Sequence, residues 1–119
     1  MALRDLRKVL SRVDEIKITV VGRSSGRKIT LPVWFASDDR ALYLLPVKGS
    51  ASPWYRNLLK NRKIALGARG ARWTVRKVTV IKSRSRVRKI ADMFRERYGA
   101  SDVKKYYSKF DVAVGLPLG

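Results

Sequence analysis

Alternating apolar and polar residues along much of the chain predict a protein built mainly from β-strands. In residues 15–22, for example, Ile16, Ile18 and Val20 share one face, as in a strand that buries one side. The same alternation, bounded by turn residues, predicts six strands: residues 15–22, 28–35, 41–47, 63–70, 71–82 and 111–118. Tight turns join the first three strands, so we expect these to form an antiparallel meander.

Two positions refine the predicted strands. Pro32 has no N–H to donate, so it should mark an edge strand, a bulge or an opening in the barrel. In the strand that begins at Ala71, the apolar residues change parity after Val75, which predicts a β-bulge near Arg76 and Lys77.

The other apolar residues recur at the three- and four-residue spacing of helices. This spacing predicts four helices: residues 2–13, 53–61, 86–98 and 101–107. Ser52 is the expected N-cap of the second helix, Gly99 ends the third, and Ser101 caps the fourth. We therefore expect one domain over residues 1–119, mainly β with peripheral helices (α+β), whose mostly antiparallel strands form a closed or nearly closed barrel.

Composition excludes several kinds of chemistry. The chain has no Cys and no His, which removes disulfides, thiol nucleophiles, imidazole bases and most zinc sites. Its nine acidic residues are scattered, so we expect no metal site. No apolar run approaches the ~18 residues of a membrane span, and the N-terminus lacks a signal-peptide core, so we expect a cytoplasmic protein.

Charge is the outstanding feature of the composition. The 28 Lys and Arg residues outnumber the nine acids and give a formal net charge of +19. This excess indicates either an anionic partner, such as nucleic acid or a small molecule with phosphate and carboxylate groups, or a basic solvated surface. The composition leaves both interpretations open.

Residues 48–52 have the character of an anion-binding loop. Small residues follow Lys48 and lead directly into a predicted helix, whose N-terminal N–H groups and dipole favour negative charge. The hairpin turn before the second strand adds Arg23, Arg27 and Lys28. Such a combination suits a ligand with an anionic tail.

Four short motifs occur in order between Val20 and Leu66. They are Gly22-Arg23-Ser24-Ser25-Gly26, Pro32-Val33-Trp34-Phe35, Lys48-Gly49-Ser50-Ala51 and Trp54-Tyr55-Arg56-Asn57-Leu58. In order and approximate spacing, the chain resembles the deazaflavin (F420)-dependent nitroreductase family, within the split β-barrel flavin-binding superfamily that includes pyridoxine phosphate oxidase-like proteins.

This resemblance implies a split β-barrel that binds F420 and transfers a hydride to a small-molecule substrate such as a quinone, nitro compound or enone. It also implies a homodimer. The cofactor-binding residues it indicates are Arg23, Arg27, Lys28, Pro32, Val33, Trp34, Lys48, Gly49, Ser50, Ala51, Ser52, Trp54, Tyr55 and Asn57. On the substrate side it indicates Tyr98, Tyr106 and Tyr107, as hydrogen-bond donors to an oxyanion or as apolar walls.

Three alternatives remain open. Ser24 and Ile29 stand where related sequences commonly carry basic residues, and the stretch from Ala51 to Trp54 is shorter than usual, so FMN is an alternative cofactor. A barrel that only binds or stores a cofactor is a second alternative. The third is a small basic nucleic-acid-binding barrel, with bases stacked on tryptophans and phosphates bound by basic residues: Trp34, Trp54, Trp73, Arg84, Arg86, Arg88 and Lys89. We expect nucleic-acid binding to be weak and sequence-independent, and to vanish near physiological salt.

Overall fold

The computed structural model describes residues 3–118, with side chains from Leu6 onward. The strands are β1 (Ile16–Val21), β2 (Lys28–Val33), β3 (Ala36–Ser37), β4 (Ala41–Leu44), β5 (Ile64–Ala68), β6 (Ala71–Val75), β7 (Thr79–Ile81) and β8 (Ala113–Pro117). The α-helices are α1 (Leu3–Leu10), α2 (Pro53–Lys60), α3 (Arg84–Tyr98) and α4 (Ala100–Tyr106), and a 3-10 turn (Gly49–Ala51) precedes α2.

The strands form two antiparallel four-stranded sheets. Their orders are β2-β1-β5-β6 and β3-β4-β8-β7. Strand β8 pairs on both sides, since Gly115 lies opposite Tyr43 of β4 and Thr79 of β7. The predicted fold class, mainly β with peripheral helices, is confirmed, and so is the return of the C-terminal strand into a sheet.

The connection after β2 differs from the prediction. The expected three-stranded meander is wrong, because β4 belongs to the second sheet and the other neighbour of β1 is β5. The chain leaves the first sheet after Val33 and enters the second at Ala36, and Phe35 is completely buried between them. Pro32 lies on an edge strand, as its missing N–H predicts.

The predicted bulge near Arg76 and Lys77 is a second crossing between sheets. The expected strand 71–82 divides into β6 and β7, which belong to different sheets. The change of parity has a simple physical origin, because Trp73 and Val75 pack against the larger core cluster from one sheet, and Val78 and Val80 pack against it after the chain has turned towards the other. This division and the additional short strand β3 give eight strands in the described chain where six were predicted.

The helix ends follow the sequence in part. Gly99 ends α3 with φ +94°, as predicted. That helix begins two residues earlier than expected, with Ser83 as its N-cap, and α4 begins at Ala100, so Ser101 is not a cap. The first helix ends at Leu10, before the predicted residue 13, and predicted residue 2 lies outside the described residues.

The buried apolar side chains form two clusters. The larger one fills the barrel between the sheets and includes Ile18, Phe35 and Leu66. The smaller one contains residues of α3 and α4, among them Phe94 and Val103, together with residues of the second sheet. Within residues 3–118, no helix combines the length and the apolar character that crossing a membrane requires.

Replacing Phe35 with Ala should lower the free energy of unfolding by about 3–5 kcal/mol, because the ring is fully buried where the chain passes between the sheets. Chemical denaturation measures this change. Ile29→Ala is the matched control, since Ile29 is 41% exposed, and its cost should stay below about 1 kcal/mol. Equal losses in the two variants would contradict the assigned position of Phe35.

Candidate functional site

A cavity of about 540 Å³ lies beside the edge strand β2. Its other walls come from the segment that follows β4, the start of α2 and the end of α4. The lining residues are Glu15, Leu31, Pro32, Val33, Trp34, Leu45, Val47, Lys48, Ser52, Pro53, Trp54, Tyr106 and Tyr107. Eight of these were singled out from the sequence: Pro32, Val33, Trp34, Lys48, Ser52, Trp54, Tyr106 and Tyr107.

Trp34 is the centre of an aromatic cluster on the cavity wall. Its ring stacks on Tyr98 at a centroid distance of 4.3 Å and an interplanar angle of 9°. Tyr106 meets it edge-on at 5.5 Å, and Tyr107 lies tilted at 6.1 Å. Contacts on several sides fix the orientation of the indole.

Tyr98 supports this wall from behind and is not among the lining residues. Its hydroxyl oxygen accepts a hydrogen bond from the Phe35 N–H at 3.1 Å. As a donor, the same hydroxyl lies 2.7 Å from the carbonyl oxygen of Asp14 and 2.9 Å from that of Phe35. These bonds occupy the hydroxyl within the chain. Tyr98 therefore ties α3 to the crossing between the sheets, and the predicted role as a donor to an oxyanion does not fit its position.

Tyr107 is the candidate donor that the cavity contains. Burial, together with the nearby Tyr98, raises the pKa of its hydroxyl far above the ordinary value, so the phenol stays protonated at neutral pH. A neutral phenol in an apolar wall can donate one hydrogen bond to a ligand oxygen. Tyr106, by contrast, is 52% exposed and forms part of the rim.

The loop of residues 48–52 does not offer free backbone donors. Each of its five N–H groups already donates within the chain: Lys48 to Ser52 Oγ, Gly49 to Pro46 O, Ser50 to Asp111 Oδ1, Ala51 to Lys48 O and Ser52 to Gly49 O. Ser52 lies at the N-cap position of α2, but its hydroxyl accepts from Lys48 and makes no side-chain capping bond to the helix. The expected cradle of amides for a phosphate is therefore absent from residues 48–52 in this conformation.

Asp111 occupies the position where the sequence predicted an external anion. Its carboxylate accepts the Ser50 N–H at 2.9 Å and the Ser50 hydroxyl, and Lys109 Nζ lies 3.6 Å away. Burial alone would raise the pKa of this carboxyl, but the bonds from Ser50 lower it below its ordinary value. Gly49 passes so close to Asp111 that a Cβ atom could not be accommodated there without movement.

The hairpin turn is fastened to α2. Asn57, which is buried, accepts the Arg23 N–H at 3.1 Å and Arg23 Nη1 at 2.6 Å through the same oxygen. Arg23 Nη1 also reaches the carbonyl of Pro53, a cavity residue, at 3.4 Å. Arg27 and Lys28 lie at the far end of β2 from Val33 and do not line the cavity.

The remaining residues predicted to bind the cofactor do not line the cavity. Tyr55 is buried in the core, and burial raises the pKa of its hydroxyl. Neither it nor Gly49, Ser50 and Ala51 is among the lining residues.

Sequence reasoning missed Glu15, Leu31, Leu45, Val47 and Pro53 in the cavity wall, and Asp111 behind the loop. Leu45 and Val47 lie within three residues before Lys48, and Pro53 directly follows Ser52, so extension of the loop along the chain would have found three of them. No local signal identifies Glu15 or Asp111, because their positions follow from strand pairing.

Replacing Gly49 with Ala should destabilise the protein by more than replacing Gly26 with Ala. Both glycines have positive φ, +56° and +70°, but a Cβ at Gly26 meets nothing within 4 Å, whereas one at Gly49 meets Asp111. Gly26→Ala should therefore show only the conformational cost of about 1 kcal/mol, and Gly49→Ala should exceed it. Denaturant titrations of the two variants measure the difference, and equal costs would refute the contact with Asp111.

The Asp111→Asn variant should be less stable than the parent at neutral pH by about 1–2 kcal/mol, since the half-buried carboxylate accepts charge-assisted bonds. The folded-state pKa of Asp111 is lowered, so its contribution is present above the unfolded pKa of about 4 and is lost as the pH falls through the folded value. The difference in the free energy of unfolding between the parent and Asp111→Asn should therefore disappear at acidic pH. A gap independent of pH between about 2 and 7 would show that the ionised carboxylate contributes nothing.

Several solved structures share this fold. An F420-H2 dependent reductase (FDR-A) matches 87% of this chain and 93% of its own, with a TM-score of 0.65 and 15% sequence identity. HutZ, the heme storage protein from Vibrio cholerae, matches 98% of this chain and 90% of its own, with a TM-score of 0.69 and 14% identity. A domain-swapped dimer matches 96% of this chain and 94% of its own, with a TM-score of 0.64 and 14% identity.

At these identities the similarity concerns the fold, and it confirms the split β-barrel that the sequence motifs predicted. No curated protein matches the sequence. A family match covers residues 5–113, nearly the whole chain. The chain therefore belongs to the bacterial family described as "Uncharacterized protein conserved in bacteria (DUF2255)".

Proposed function

We propose that this protein binds a flavin-like cofactor, F420 in the first instance, and uses it to reduce a small electrophile such as a quinone, nitro compound or enone. The observation that carries the proposal is the cavity beside β2, which combines an aromatic, apolar wall with a cation at its rim. The barrel around it has the fold of F420-H2 dependent reductases, which supports the proposal.

The cavity suits a flat ring system. Its volume of about 540 Å³ falls within the usual range for small-molecule sites, about 300–1,000 Å³. Trp34 and Trp54 present indole rings, and Pro32, Val33 and Leu45 add apolar surface without charge. Trp34 is held in place by Tyr98, so the wall is formed before a ligand arrives.

The anionic tail would be bound by side-chain cations and not by loop amides. Lys48 lines the cavity, and Arg23 reaches its rim through Pro53. Glu15 lies on the rim formed by the start of β1, since the next residue, Ile16, pairs with Val33. Attraction by Lys48 and repulsion by Glu15 would both place negative charge on the side of α2.

The chemistry in this proposal belongs largely to the cofactor, which supplies a hydride when it is bound in reduced form. The protein positions the ring, excludes water through its apolar wall and offers the Tyr107 hydroxyl as a hydrogen-bond donor. That hydroxyl stays neutral and belongs to a largely buried residue of the cavity wall, so it can hydrogen-bond a substrate oxygen on which negative charge develops.

FMN is the alternative cofactor for the same cavity. It carries a single phosphate and no carboxylate tail, and among the described residues that line the cavity Lys48 is the one cation. A homodimer is part of the proposal, supported by the domain-swapped dimer that shares the fold. The absorption and fluorescence spectra of the purified protein distinguish the two cofactors, because a deazaflavin absorbs near the boundary between violet and blue light, whereas the spectrum of FMN has two absorption bands.

Replacing Lys48 with Ala should weaken cofactor binding by roughly ten- to a hundredfold, since a charge-assisted bond contributes about 1.5–3 kcal/mol. Titration of the apoprotein with F420 and with FMN, followed by fluorescence, measures the change for both. Stability should be unaffected, because Lys48 is exposed.

Lys89→Ala is the matched control, as Lys89 is an exposed lysine of α3 outside the cavity lining. It should bind both cofactors as the parent does. If Lys48→Ala also binds both as tightly as the parent, the assignment of Lys48 to the tail is wrong, and if the parent binds neither, the proposed function fails.

A further inference from the structure

Three segments of the chain meet at one end of the first sheet. All neighbouring strands in this sheet are antiparallel, so β1 and β6 finish at the same end of the sheet at which β2 and β5 begin. The register places Val21 opposite Lys28 and Ile64 opposite Val75. The β1–β2 turn, the residues before β5 and the crossing after β6 are therefore neighbours, although they are far apart in sequence.

These segments carry a group of exposed cations that we call the basic edge. Its members are Arg23, Arg27, Lys28, Arg62, Lys63, Arg76 and Lys77. Lys28 begins β2, and the other six residues stand in segments that directly flank the paired strands, which hold these segments near one another.

The charge of the basic edge is not neutralised within the described chain. From Ile16 to Ala91 the acids are Asp38 and Asp39 alone, and these lie in the turn between β3 and β4 of the other sheet. Among the side chains that the structure describes, the salt bridges are Arg95–Asp92 and Lys109–Asp111, and neither involves this edge. Arg23 bonds to Asn57, which is neutral.

The opposite end of the same sheet differs in charge. Asp14 and Glu15 precede β1 there, beside the β5–β6 turn with Arg69. The two ends are thus comparable in construction but not in electrostatic potential, and a polyanion would be attracted to the basic edge.

We propose that the basic edge binds the phosphate backbone of double-stranded nucleic acid without reading its sequence. A duplex presents one negative charge per about 1.7 Å of its axis, which matches a dense set of fixed cations. No aromatic residue occurs in residues 22–28, 61–63 or 76–78, so the base stacking that binds single strands has no platform there.

A lipid surface fits the basic edge less well. The half-exposed apolar side chains near it are Ile29 and Leu59, at 41% and 40% exposure. They lie on different elements, β2 and α2, whereas an interfacial helix enters a membrane with an apolar face of its own.

The test compares two triple variants of equal charge. Lys63→Gln, Arg76→Gln and Lys77→Gln together alter the basic edge, and Arg12→Gln, Lys17→Gln and Arg72→Gln alter exposed residues at or toward the opposite end. Each variant has a formal charge of 19 − 3 = +16. None of the six residues belongs to the proposed cofactor site, so the outcome does not depend on cofactor binding.

Fluorescence anisotropy with a labelled duplex of about 20 base pairs measures affinity over a range of salt from about 20 to 200 mM. The basic-edge variant should bind at least about tenfold more weakly at the lowest salt, and the slope of log K against log salt should fall by about 2–3, since each phosphate contact contributes about 0.9. The opposite-end variant should stay within about threefold of the parent, with its slope unchanged.

Equal weakening in both variants would overturn the proposal, because net charge alone would then account for the binding. Tighter binding of the parent to vesicles of acidic phospholipid than to the duplex, at the same salt, would also overturn it. Should the triple variant melt well below the parent, the single Lys77→Gln variant replaces it, with an expected fall in slope of about 0.9. An unchanged slope in that variant would equally refute the basic edge.

Discussion

The hydrogen bonds between the Tyr98 hydroxyl and the backbone of Phe35 hold the point where the chain leaves the first sheet and enters the second. The crossing has no strand partner for its own polar groups, and a buried backbone N–H without a partner is costly. Tyr98 of α3 supplies a partner for the Phe35 N–H through its side-chain hydroxyl. Because the same tyrosine stacks on Trp34, the bond that stabilises the crossing also fixes the aromatic wall of the cavity.

The loop of residues 48–52 is held in a comparable way by a charged group of the chain itself, the carboxylate of Asp111. The hydrogen bond from Ser50 to Asp111 holds the 3-10 turn in place, and this turn positions Lys48 and Ser52 at the cavity. This arrangement explains why small residues are needed there without invoking a ligand: Gly49 has to approach Asp111 closely. A loop of small residues before a helix thus has two physical interpretations, and they are distinguished by whether its backbone N–H groups are free to bind a ligand.

The sequence was informative wherever the deciding interaction is local. Alternation over neighbouring residues located the strands. Pro32 indicated an edge because it lacks an N–H, and Gly99 indicated a helix end because glycine adopts positive φ. The split of residues 71–82 was visible as a change of parity, but parity alone cannot separate a bulge from a crossing. Glu15 and Asp111 were beyond reach, because β-pairing brings Ile16 opposite Val33 and the C-terminal segment places Asp111 behind Ser50.

The position of the charges bears on how a polyanion and an anionic cofactor could share so small a protein. Among the residues that the structure describes, the cavity lining contains one cation and one acid, Lys48 and Glu15, so its own potential is modest and its selectivity rests on shape and apolar contact. The basic edge has the opposite character, since its seven named residues are all exposed cations. Arg23 stands between the two regions, since it reaches the rim through Pro53 while it belongs to the hairpin turn. A tail that extended past Pro53 would therefore enter the field of the basic edge, and salt would weaken its binding more than it weakens that of the ring, because ion pairs are screened and apolar contacts are not.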